Sequence, residues 1–104
     1  TEEILRAVEK ITGVAMETIK GNRRDKTSST ARRIAMYLLR EDAHLTSTSI
    51  GQLLGNKDHS TVIYGQKAIE KTLIKDYVLR EQISSIRSLV ISYVNWLWTI
   101  SSQF

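Results

Sequence analysis

Lys57, Asp58, His59, Ser60 and Thr61 put a cation, a carboxylate, an imidazole and two hydroxyls in five consecutive positions. Catalysis by His59 with Asp58 and Ser60 fails on geometry, because neighbours on a helix fan around the axis instead of converging on one atom. Metal binding fails on partners: the only other histidine, His44, lies in a different segment, and the chain has no cysteine. No catalytic residue and no metal ligand is therefore expected. What the set does offer is donors, acceptors and a methyl group, the chemistry needed to read the edges of bases. His59 suits a guanine acceptor, Thr61 a thymine methyl and Ser60 a base or a phosphate. Asp58 is equally suited to cap a helix or to accept from a base amino group.

Such residues read DNA only if a helix end carries them into a groove. Ile50, Leu53 and Leu54 fall at i, i+3 and i+4, and Val62, Ile69 and Leu73 continue an apolar face beyond Gly55-Asn56. That pattern predicts a short helix, a glycine-bearing turn and a second helix opening at His59, the layout of a helix-turn-helix. Thr48 and Ser49, early in the first of these helices, are placed to meet a phosphate through hydroxyls or backbone N–H groups.

Charge is distributed to match. The formal net charge is +4, and from Lys20 to Arg40 seven cations stand against one acid, Asp25. Arg32, Arg33, Arg40 and Lys57 are expected along phosphates, where cations supply affinity by counterion release. Arg23 and Arg24 lie in a basic loop, Gly21 to Thr27, from which either could enter an A·T-rich minor groove.

The chain has 104 residues, 41% of them hydrophobic, which suits one domain with a modest core. With no proline or cysteine and only five glycines, stability is expected from packed helices. Thr1 with Glu2 and Glu3 opens a first helix that Gly13 stops; Ala15 to Lys20 forms a second; Ser28, Ser29 or Thr30 caps a third running to about Glu41. Thr46 or Ser47 caps the first motif helix, and Asp58 the second, which runs to about Lys75. The fold class expected is all-α, a compact helical domain with a helix-turn-helix (1–75) followed by a long C-terminal helix (76–104). In that last segment Leu79, Ile83, Ile86, Val90, Tyr93, Leu97 and Ile100 alternate spacings of four and three. We read it first as an added core helix and second as a self-association seam over 79–100. No signal or transit peptide is evident, and the apolar run from Leu89 to Ile100 is too short to span a bilayer. Thr1 in place of methionine suggests a domain cut from a longer protein.

The segments Ala31-Arg32-Arg33-Ile34-Ala35-Met36-Tyr37-Leu38-Leu39-Arg40-Glu41, Ile50-Gly51 and Leu54-Gly55-Asn56-Lys57-Asp58-His59-Ser60-Thr61-Val62 resemble the C-terminal DNA-binding domain of the bacterial replication initiators of the DnaA family. The resemblance runs from about Ile4 to Lys71. It implies binding to double-stranded DnaA boxes at a chromosomal origin. It also implies that Arg24 enters the minor groove, that Asp58, His59, Ser60 and Thr61 meet bases in the major groove, and that Arg32, Arg33, Arg40, Lys57 and Tyr64 line the phosphates. The sequence departs from the family pattern at Lys57 (usually arginine), Ala31 (often proline) and Asp42 (commonly leucine).

The resemblance implies no cofactor in this domain, with ATP expected in the AAA+ module of a full-length initiator. It implies a cytoplasmic, nucleoid-associated location. Double-stranded DNA is the expected partner, acidic phospholipid a second candidate, and no small-molecule substrate is expected. The competing reading from the residues is a helix-turn-helix transcriptional regulator that dimerises through its C-terminal helix.

Overall fold

The computed structural model describes residues 1–102. Among them there are six helices: α1 (Glu2–Thr12), α2 (Met16–Ile19), α3 (Lys26–Glu41), α4 (Ser47–Leu53), α5 (His59–Leu73) and α6 (Tyr77–Ser101). No strand occurs among the described residues, so the all-α expectation holds.

Each boundary has a local cause. Gly13 takes φ 73°, the left-handed turn that ends α1, and its N–H donates to the Glu9 carbonyl at 2.9 Å. The Glu9 carboxylate then accepts from Met16 N at 2.6 Å and so caps α2 from a neighbouring helix. Thr46 caps α4 by accepting from Ser49 N, and Asp58 caps α5 by accepting from Ser60 N, as expected. α3 departs from expectation: it starts at Lys26, not after Ser28–Thr30. Asp25 is the cap, accepting from Ser28 N at 3.1 Å and from the Ser28 hydroxyl at 3.0 Å. A carboxylate three residues upstream outcompetes a serine as acceptor, and Ser28 becomes the donor inside the first turn.

α3 is the central helix. Ile34, Ala35, Leu38 and Leu39 are buried along it, and α5 packs across it. The crossing is close because Gly65 has no side chain: a Cβ there would stand 2.5 Å from Met36 Sδ. α4 lies under α5 through Ile50, Leu54 and Val62, all fully buried. α1 packs on α3 through Leu5 and Val8, and carries α6 on its other side. Among the described residues no buried side-chain polar atom lacks a partner.

α6 divides into two parts. Leu79, Ile83 and Ile86 are buried in the common core, so the first half is core, as read from the heptads. Asp42, the family departure, takes Arg87 of α6 in a two-bond fork, 3.0 Å at each bond, and ties the end of α3 to this helix. Beyond Val90 the picture changes. Tyr93 still packs partly, but Ile91, Val94, Trp96, Leu97 and Trp98 are exposed, so the second half is not the buried core helix expected. Only the polar first turns of α1, Glu2, Glu3 and Arg6, stand beside Tyr93, Trp96 and Leu97, and they leave Trp96 and Leu97 exposed. No helix among the described residues is long and apolar enough to cross a membrane.

If α6 belongs to the core as described, Ile86→Ala should lower unfolding stability by about 2–4 kcal/mol. Urea denaturation measures it, and a loss below about 1 kcal/mol would show α6 to be detached from the core in solution.

Candidate nucleic-acid interface

The sequence elements that could touch DNA meet in one cleft of about 570 Å³. The basic loop gives Asn22 and Arg24, α3 gives Arg33, the motif turn gives Asn56 and Lys57, and α5 gives Asp58, Thr61 and Tyr64. Loop and recognition helix are separated by more than thirty positions in sequence, yet they flank the same opening.

The first turn of α5 protrudes. Asp58, His59, Ser60, Thr61 and Tyr64 are all exposed, while Val62 behind them is fully buried. Side chains at 59–61 can stay in solvent because the helix is held to the core further along, by Val62, Gly65, Ile69 and Leu73. Asp58 is largely committed to the protein: one carboxylate oxygen accepts from Ser60 N at 3.3 Å and the other lies 3.4 Å from His59 Nδ1. Its capping role is therefore present in the fold. Ser60 and Thr61 present their hydroxyls at the tip, and His59, paired through Nδ1 with Asp58, presents its Nε2 edge.

The positive end of a helix dipole adds to the surrounding cations. Arg33 is half-buried and its guanidinium stands over the Tyr64 ring, 5.4 Å from the centroid. Arg40 follows two turns along the same face of α3, about 10 Å away by helical rise. It is exposed, donates to the Leu45 carbonyl at 3.0 Å, and lies outside the cleft lining. Thr48 is exposed; the Ser49 hydroxyl accepts from Thr46 Oγ1 at 3.0 Å. Neither lines the cleft.

In the loop the two arginines differ. Arg23 pairs with Asp25 at 3.1 Å, whereas Arg24 has no ion pair among the described residues and lines the cleft. Asp25 is held below the usual carboxylate range by the Ser28 N–H and hydroxyl, with Arg23 adding a smaller effect.

Two expected phosphate contacts, Arg32 and Lys57, line the cleft but also hydrogen-bond within the protein. Arg32 does not project from α3 as expected; it is only 8% exposed and each of its three nitrogens donates to a carbonyl. Nε donates to Ile19 O, Nη1 to Arg23 O and Nη2 to Thr18 O, each at 2.9 Å. The reason is α2, a single turn that ends without a following turn, so that Ile19 O has no backbone donor among the described residues and Thr18 O has only Gly21 N, at 3.1 Å. Lys57 is half-buried and Nζ donates to Lys20 O at 3.2 Å and Leu54 O at 2.9 Å. Desolvation, then the nearby Arg32 charge, pulls its pKa below the usual lysine value.

Comparison with known proteins accords with this geometry. Residues 1–69 match the family described as bacterial dnaA protein helix-turn-helix. The chain belongs to that family. It is 41% identical over 86 residues to a chromosomal replication initiator protein DnaA of Roseiflexus castenholzii, covering 83% of this chain and 18% of the relative. It is 42% identical over 83 residues to the DnaA of a Picosynechococcus species, covering 80% and 18%. A solved DNA replication initiation factor shares the fold with a TM-score of 0.72 at 25% identity, over 88% of this chain and 29% of that one. The chain thus spans about a fifth of the length of the DnaA relatives it matches. The matched part of DnaA is its helix-turn-helix.

The Asp25 cap makes a pH prediction. Its carboxyl has a lower pKa folded than unfolded, so its stabilisation is present above the unfolded value and disappears as pH falls through the folded one. Asp25→Ala should lower stability at pH 7 and narrow its gap to wild type between about pH 4 and pH 2. Chemical denaturation across that range checks it; a gap constant with pH would show the cap to be independent of the charge.

Proposed function

We propose that this DnaA-family domain binds double-stranded DNA with sequence specificity, at DnaA boxes of a replication origin. The observation that carries the reading is the shared cleft, where a basic-loop arginine and the exposed tip of α5 flank one opening. In this reading the α5 tip enters the major groove and Arg24 the adjacent minor groove. The Arg23–Asp25 pair favours Arg24 for that role, since it leaves Arg24 unengaged at the cleft.

His59, Ser60 and Thr61 are the base-reading side chains in this account. Asp58 contributes first as the cap that fixes the tip, and as a base contact only through lone pairs its cap leaves over. Arg33 with Tyr64, Arg40, Thr48 and Ser49 meet phosphates and set the register without reading sequence. This domain would need no cofactor; ATP would act in the AAA+ module of a whole initiator. The setting is the bacterial cytoplasm, on the nucleoid.

A labelled duplex carrying an origin repeat, titrated against a scrambled control at two salt concentrations, tests the reading. Preference for the repeat with a steep salt dependence supports it. Equal affinity for both duplexes, or binding only as a two-fold dimer on a palindrome, contradicts it.

Thr61→Ala, and likewise His59→Ala, should weaken binding to the repeat by about 1–3 kcal/mol and leave scrambled duplex nearly unaffected. Losses of the same size on both duplexes would remove that residue from base reading. Arg40→Ala should weaken both duplexes alike and reduce the salt slope by about one unit. An unaltered slope would take Arg40 out of the footprint.

A further inference from the structure

The carbonyls of Thr18, Ile19, Lys20 and Arg23 have two cations for partners, Arg32 and Lys57. Arg32 brackets the loop. It holds the last carbonyls of α2 on one side and the Arg23 carbonyl on the other, and the residue after Arg23 is Arg24. Only a guanidinium, with five donors in a planar fork, reaches three separate acceptors from one buried position.

Lys57 makes the second connection. Its ammonium joins Lys20 O of the loop entry to Leu54 O of the motif turn, two points 34 residues apart, by 54 − 20. The same turn touches the loop through its backbone: Gly55 lies so near the Lys20 carbonyl oxygen that a Cβ there would collide with it. Asp58, the α5 cap, follows Lys57 directly. Lys20 O is therefore a shared pivot between the loop that presents Arg24 and the turn that launches α5.

We propose that Arg32 and Lys57 are positioning residues for recognition: they hold the basic loop in its DNA-ready place in the free protein, so that Arg24 and α5 reach one duplex in fixed relation. The proposal rests on the DNA-binding reading above for its consequence, but not for its geometry. A loop containing Gly21 and Asn22 would otherwise sample many backbone states, and ordering it would oppose binding. With the clamp in place that ordering precedes contact with DNA. The two cations then act on affinity through Arg24, without touching a phosphate themselves.

Two measurements test this. In the free protein, backbone amide order parameters over residues 21–25 should fall below about 0.6 in Lys57→Met and in Arg32→Gln but not in wild type, with α5 amides unchanged. Unchanged loop order parameters in Lys57→Met overturn the proposal. Should Arg32→Gln fail to fold, Lys57→Met, altered at a half-exposed side chain, decides alone.

On the origin-repeat duplex, Arg24→Ala and Lys57→Met should each weaken binding about tenfold, and the double variant little more than either one. Once Arg24 is alanine, adding Lys57→Met should leave the salt slope at the Arg24→Ala value. Losses that multiply to about a hundredfold, or a slope lowered by one unit in that background, would make Lys57 an independent phosphate contact and overturn the proposal. If wild type shows no preference for the repeat, the DNA-binding reading fails instead, and the loop order parameters alone decide the clamp.

Discussion

A one-turn helix is a liability, and this domain is organised around correcting it. α2 spans four residues, Met16–Ile19, too few to satisfy its own ends, and its Met16 N–H and Ile19 carbonyl take side-chain partners from other helices. The Glu9 carboxylate supplies one at the amino end, and Arg32 supplies two donors at the carboxyl end and a third to the Arg23 carbonyl of the loop. Buried charge is tolerated here because each donor is directed at a carbonyl, and a guanidinium stripped of those partners would be strongly destabilising. α2 is thereby held on α3, and the basic loop departs from a fixed point.

The reading helix follows from a similar economy of polar groups. Gly51 in α4 permits the turn to fold tightly back, since a Cβ there would strike the Lys57 carbonyl. The Gly51 carbonyl accepts from Lys57 N at 2.9 Å, closing the turn, and Asp58 then caps α5. With its cap local and its anchor provided by Val62 and Ile69, α5 leaves its first turn free. The result is a protruding helix end, electropositive by its dipole, beside a loop that carries an arginine without an ion pair among the described residues. Fold and recognition surface arise from the same few contacts.

Much of this was legible in the sequence where a single residue type acts over a short range. Gly13 as the stop of α1, Thr46 and Asp58 as caps, and the apolar spacing of the helix-turn-helix all act within one or two turns. The cap of α3 was misread because Asp25 and Ser28 compete for one role, and only their mutual hydrogen bond shows which accepts. Arg32 and Lys57 were read as surface cations because composition cannot show which carbonyls another helix leaves open. Arg33, next to Arg32 and of the same type, is turned toward Tyr64 on α5. Which neighbour becomes a clamp depends on the rotation of α3, set by Ile34, Leu38 and the Gly65 crossing. The periodicity of α6 agrees with burial to Ile86 and, in part, to Val90 and Tyr93, but it does not reveal that the end beyond them is exposed.

The central claim is that Arg24 and the tip of α5 engage one duplex at once, from two sides of one cleft. Photo-crosslinkers introduced separately at positions 24 and 61, each mapped on a duplex with a single origin repeat, measure this directly. The account predicts a minor-groove adduct from position 24 and a major-groove adduct from position 61, about half a helical turn apart, near 5 base pairs. Adducts a full turn or more apart, or none from position 24 under conditions where position 61 reacts, would contradict it.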